Sequence, residues 1–103
     1  MGNKEKLYEM IIEMVRDLER TRHDYNGYAY VRTMRNILVG KKDAAIAPYF
    51  SRKPYYGVVP YLGLNDLEGI MDGLVRNNRL DIIFTEHGKL YCTHEWYMQS
   101  KKI

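Results

Sequence analysis

From Lys4 to Arg20 the apolar positions recur at the spacing of a helix. Leu7, Met10, Ile11, Met14, Val15 and Leu18 fall on one broad arc, with Glu9, Glu13, Arg16 and Arg20 on the other, which predicts an amphipathic helix. Residues 22–27 (Arg-His-Asp-Tyr-Asn-Gly) break the period and read as a loop. The period resumes at about Tyr28, where Tyr30, Val31, Met34, Ile37 and Leu38 share a second arc that runs to Val39. Arg32 and Arg35 project from the opposite side as close neighbours, and Gly40 is placed to end the helix. A short helix is expected between Asp43 and Phe50, capped by Asp43 and limited by Pro48. A basic, aromatic loop follows, Ser51-Arg52-Lys53-Pro54-Tyr55-Tyr56-Gly57.

The next helix is expected over residues 65–77, with Asn65 as cap and Glu68 completing a capping box. Leu67, Ile70, Met71, Leu74 and Val75 form its buried stripe, and Asn77-Asn78 ends it. Residues 80–84 and 89–92 read as two short strands joined by Thr85-Glu86-His87-Gly88, with Gly88 set for a positive φ. Thr93 then caps a last helix anchored by Trp96 and Tyr97. The expected fold is therefore α+β and mainly α. Three helices followed by a two-stranded wing make a winged helix, a helix-turn-helix variant, here with an added N-terminal helix. Residues 1–27 supply that helix and its loop, residues 28–103 the winged-helix part, and the whole is expected to form a single domain.

Composition narrows the function classes. A chain of 103 residues, 46% hydrophobic, has room for one core, and no window is apolar enough to span a bilayer. The opening Met1-Gly2-Asn3-Lys4-Glu5-Lys6 has neither a signal-peptide core nor a myristoylation pattern. The single cysteine, Cys92, lies in an apolar run and reads as a buried structural thiol, which suits the reducing cytoplasm. Charge is uneven. Residues 1–24 hold five basic and six acidic side chains. Residues 32–53 set Arg32, Arg35, Lys41, Lys42, Arg52 and Lys53 against Asp43 alone, a net charge of +5. Positive charge so concentrated attracts a polyanion, because neutralised phosphates release their counterions.

Three ordered stretches resemble the RQC domain, the winged helix on the C-terminal side of RecQ helicases, and small stand-alone bacterial or phage-type proteins built from it. These are Met34-Arg35-Asn36-Ile37-Leu38-Val39-Gly40-Lys41-Lys42, then Tyr56-Gly57 with Leu62-Gly63-Leu64 and the following helix, then Leu90-Tyr91-Cys92-Thr93. Together they span residues 28–98. Ala29-Tyr30 stands where the family carries glycine, and Lys41 where Ser or Thr is common. The sequence contains neither the helicase motor nor a cysteine set for zinc, so ATP-driven unwinding is not expected of it.

The resemblance implies contact with duplex ends and junctions, with the wing at the point of strand separation and basic residues at helix ends holding phosphates. On that basis Arg32, Arg35, Lys41, Lys42, Arg52 and Lys53 are candidate phosphate ligands, and Lys89 of the wing and His87 at its tip are further candidate DNA-binding residues, with His87 read either as a ring that stacks on an exposed base pair or as a solvent-exposed turn residue. The outer arc of the 65–77 helix carries Glu68, Asp72 and Arg76, with Asp66 at its start, a poor composition for reading base edges in a major groove. Tyr28, Tyr30, Tyr61 and Tyr91 look structural. His23, His87 and His94 lack metal-ligand spacing, and no phosphate-binding glycine loop or nucleophile elbow occurs, so no catalysis, metal or cofactor is expected. The leading expectation is a non-catalytic DNA binder of low base specificity. The other two are a winged-helix transcriptional regulator, dimeric through the N-terminal helix, and a protein-interaction adaptor.

Overall fold

A computed structural model describes residues 3–21, 30–42, 48–86 and 88–101. Its elements run α1 (Asn3–Thr21), α2 (Val31–Val39), α3 (Pro48–Ser51), α4 (Leu64–Arg76), β1 (Asp81–Thr85), β2 (Gly88–Cys92) and α5 (His94–Lys101). The chain is mainly helical, with one two-stranded antiparallel hairpin.

The α1 arc does what its periodicity predicts. Ile11, Met14, Val15 and Leu18 are fully buried in the same core cluster as α2, α4 and the hairpin. Burial on that scale stabilises by about 1.5–3 kcal/mol per side chain, which fastens α1 to the rest of the chain. The apolar arc weighed as a dimer surface is thus occupied within the monomer, where α1 lies against β2.

Three helix boundaries differ from the sequence expectation. Helix α2 starts at Val31, with Tyr30 as an extended N-cap residue (φ −86°, ψ 150°) that makes no side-chain cap. The Asp43 cap lies outside the described residues, and α3 is a single turn that opens on Pro48, a position where a missing N–H costs nothing. Helix α4 is capped by Gly63, not Asn65, and the capping box does not form. The helix opens at Leu64, which places Asn65 inside its first turn, and the Glu68 carboxylate pairs instead with Lys89 of β2 at 3.3 Å.

The other stop signals are observed as expected. Gly40 adopts the left-handed conformation (φ 75°) and its N–H closes on the Ile37 carbonyl at 3.1 Å. Asn78 exits α4 with φ 62°, which asparagine tolerates better than most residues. The hairpin pairs Asp81 with Cys92 through to Thr85 with Gly88, and Gly88 takes the expected positive φ of 115°. Leu90, Tyr91 and Cys92 are all buried, so β2 does not alternate: α1 covers it, and the Tyr91 hydroxyl reaches Asp72 of α4 at 2.6 Å. Thr93 caps α5 as expected, its hydroxyl accepting from the Trp96 N–H at 3.3 Å.

Candidate nucleic-acid interface

Helix α2 buries Met34, Ile37 and Leu38 against the core and leaves Arg32 exposed on the opposite side. Arg35, three residues on, is half-buried, and its Nε donates to the Leu62 carbonyl at 3.1 Å. Part of the Arg35 guanidinium is thereby committed to holding the 58–63 loop, which corrects its reading as a wholly outward phosphate ligand. The cause is distance along the fold, since a loop 27 residues away closes over α2.

The end of α2 is tied to that loop through two glycines. A Cβ on Gly40 would stand 2.9 Å from the Gly57 Cα, and both residues have positive φ. The Gly57 N–H donates to Ile37 O and the Val59 N–H to Leu38 O, each at 2.9 Å, and the Tyr56 hydroxyl donates to Lys41 O at 2.9 Å. Lys41 and Lys42 emerge from this junction exposed. Arg52, also exposed, leaves the turn after α3. The side chains of Arg32, Lys41, Lys42 and Arg52 have no hydrogen bond or ion pair among the described residues.

Lys53 behaves differently. Its ammonium lies 4.5 Å from the Tyr49 ring centroid and 3.4 Å from Asp17 Oδ2, with 28% of the side chain exposed. Contact with the Tyr49 hydroxyl, then the Asp17 carboxylate, holds the ammonium above the ordinary lysine range. Asp17 was not singled out in the sequence, yet it is 0% exposed. It accepts from Tyr55 Oη at 2.6 Å, Tyr49 Oη at 3.3 Å and Arg20 at 3.2 Å. A buried carboxylate requires such partners, so Lys53 serves the fold before any ligand. Asp17 sits one step from Leu18 on the α1 arc, and no charge pattern in the local sequence reveals that an aromatic pair will close over it.

Lys89 is likewise engaged, bridging Glu68 at 3.3 Å and Asp72 at 3.2 Å. The two carboxylates read as an outward acidic arc therefore turn onto the hairpin. The exposed remainder of the α4 outer side is Asn65, Asp66, Gly69, Arg76 and Asn77. Hydrogen bonding from Tyr91, followed by Lys89, holds the Asp72 carboxyl below its ordinary value. His87 lies outside the described residues. On the hairpin, the Phe84 ring is 75% exposed opposite Lys89, one pair before the turn. Tyr30 and Tyr91 are structural as expected, through Thr85 and Asp72 respectively, but Tyr61 is 97% exposed and is not.

No family model, curated protein or solved structure matches this chain. The site is accordingly defined by its own chemistry. Among the described residues, no three His, Cys, Asp or Glu side chains are grouped to hold a metal ion, and no helix is long and apolar enough to cross a membrane. Burial pushes the Cys92 thiol up to about 12, with Glu19 and Asp81 adding to it, so the sulfur is a protonated core group.

Proposed function

We propose that this chain is an RQC-like winged-helix protein that binds DNA by its phosphate backbone, with low base specificity and no catalytic role. The observation that carries the reading is the cationic surface built by α2 and the loops packed on its end. Residues 30–42 and 48–64 contain six basic side chains and no acidic one. Four of them, Arg32, Lys41, Lys42 and Arg52, are exposed with no side-chain partner among the described residues. Arg35 and Lys53 are engaged by Leu62 O and Asp17.

The winged-helix part of the proposal is supported by the element order and by contact between the resembling stretches. Ile37-Leu38 and Gly40 of the first meet Tyr56-Gly57 of the second through backbone bonds and the glycine–glycine approach. Binding would be shallow: α4 offers Asp66 and no basic cluster at its start, and its Glu68 and Asp72 are locked to the hairpin. The exposed Phe84 ring suits stacking on a terminal base pair. A reducing compartment, the cytoplasm, suits the single buried thiol.

The test is a titration of duplex and forked DNA at two salt concentrations, with the triple variant Arg32→Glu, Lys41→Glu, Lys42→Glu. Arg35 is left intact to preserve the loop. Salt-sensitive binding that the triple variant abolishes is expected. Unchanged affinity of that variant, or no binding of any DNA at low salt, overturns the reading; the second result favours a protein-docking role.

A further inference from the structure

Tyr61 is an anomaly for a stability argument. Its ring is 97% exposed, although the loop that carries it is held by hydrogen bonds on both sides. The Leu62 N–H donates to Val59 O at 3.2 Å, closing a turn with Pro60 and Tyr61 at its two corners. Proline fixes its own φ at the first corner, which leaves Tyr61 at the second with little backbone freedom. The Val59 N–H bonds to Leu38 O at 2.9 Å, the Leu62 side chain is buried, and Arg35 Nε holds Leu62 O. A rigid base thus presents a planar ring to solvent, with the half-exposed Val58 and Leu64 on either side of it in sequence.

The charges around the ring point to its occupant. Arg35 reaches the residue next to Tyr61, and Arg32 stands three residues earlier on α2 as its surface neighbour. The carboxylate closest in sequence is that of Asp66, turned toward Gly63. We propose that Tyr61 is a stacking platform for an unpaired base of single-stranded nucleic acid, with Arg32 and the free face of Arg35 holding the adjoining phosphates. An aromatic face binds a base face, and within duplex DNA those faces are covered by neighbouring pairs. Aromatic rings beside a cationic track are how single strands are held without sequence preference. The platform rests on the nucleic-acid reading above and adds a second strand state to it.

The experiment compares a labelled oligothymidine with a blunt duplex of equal length, using wild type, Tyr61→Ala, Tyr61→Phe and the Arg32/Lys41/Lys42 charge reversal. Tyr61→Ala is expected to weaken oligothymidine binding roughly 5- to 150-fold, the range that stacked bases carry. Its duplex affinity should stay within about two-fold, and Tyr61→Phe should match wild type, since the hydroxyl is not required. In Tyr61→Trp, a new fluorescence component should be quenched by oligothymidine. Unchanged oligothymidine affinity in Tyr61→Ala, with duplex binding still lost on charge reversal, overturns the platform and leaves the backbone-binding reading standing. Equal loss on both DNAs in Tyr61→Ala also overturns it. If wild type binds neither DNA, both proposals fall. The ring has no packing role, so Tyr61→Ala should keep the wild-type unfolding midpoint.

Discussion

At the scale of single residues, Asp17 carries the largest consequence. Its carboxylate is fully buried, and it accepts from two tyrosines and two cations drawn from three parts of the chain. Burial, together with the adjoining Asp17, holds the Tyr55 hydroxyl well above the usual tyrosine range, so it stays a donor at any physiological pH. Asp17→Ala strands that donor and should cost about 2–3 kcal/mol in urea unfolding, whereas Lys53→Ala, losing a part-exposed charge, should cost under about 1 kcal/mol. Equal costs would show that the ion pair and not the tyrosine bond dominates. Gly40 is constrained differently, by its positive φ and by the Gly57 backbone 2.9 Å from any added Cβ. Gly40→Ala should destabilise by at least about 1–2 kcal/mol and should loosen the Lys41–Lys42 junction with it. That coupling is measurable as weaker DNA binding at a temperature where the variant remains folded.

At the scale of elements, two carboxylate clamps hold the C-terminal half on. Asp72 and Glu68 of α4 grip β2 through Tyr91 and Lys89. The Asp72 carboxyl is held below its ordinary value of 3.8, first by Tyr91, and the Lys89 ammonium above its ordinary 10.5, first by Asp72. A lowered acid stabilises fully above its unfolded value and loses that contribution as pH falls through the folded one. A raised base does the reverse on the alkaline side. The clamp is therefore complete between about pH 4 and 10. Asp72→Asn should destabilise by about 1–2 kcal/mol at neutral pH, and the gap to wild type should close as pH falls toward 2. A gap independent of pH would mean shape, not charge, holds the hairpin. The second clamp is Glu19, which accepts from the Thr93 N–H at 2.7 Å and from its hydroxyl at 2.8 Å. A carboxylate of α1 thus caps α5 from outside, and Glu19→Ala should speed amide exchange across α5 before other elements open.

At the scale of the molecule, the exposed cations predict how the proposed DNA binding should respond to salt. If Arg32, Lys41, Lys42 and Arg52 each neutralise a duplex phosphate, log affinity should fall with log salt at a slope of about −3 to −4. A slope of about −5 would require Arg35 to add its free face and Lys53 to leave Asp17. With the α1 arc consumed by the chain's own core, sedimentation should report a monomer.

The sequence alone determined which elements form and several of their ends. Periodicity depends on neighbours within a turn or two, so the α1, α2 and α4 stripes, the Gly40 and Gly88 conformations and the Thr93 cap were legible in it. The inward destination of the α1 stripe, the cap of α4 and the fate of the charges were decided by tertiary contact. Six basic residues look alike in a one-dimensional pattern, yet Lys53 is spent on Asp17, which lies 36 positions away, and Arg35 on Leu62, while Arg32, Lys41, Lys42 and Arg52 face solvent. Tyr61 and Tyr91 are equally indistinguishable there: one is 97% exposed and the other fully buried. Charge and ring chemistry are local properties, but whether either is free to bind depends on partners that only the folded chain brings within hydrogen-bonding distance.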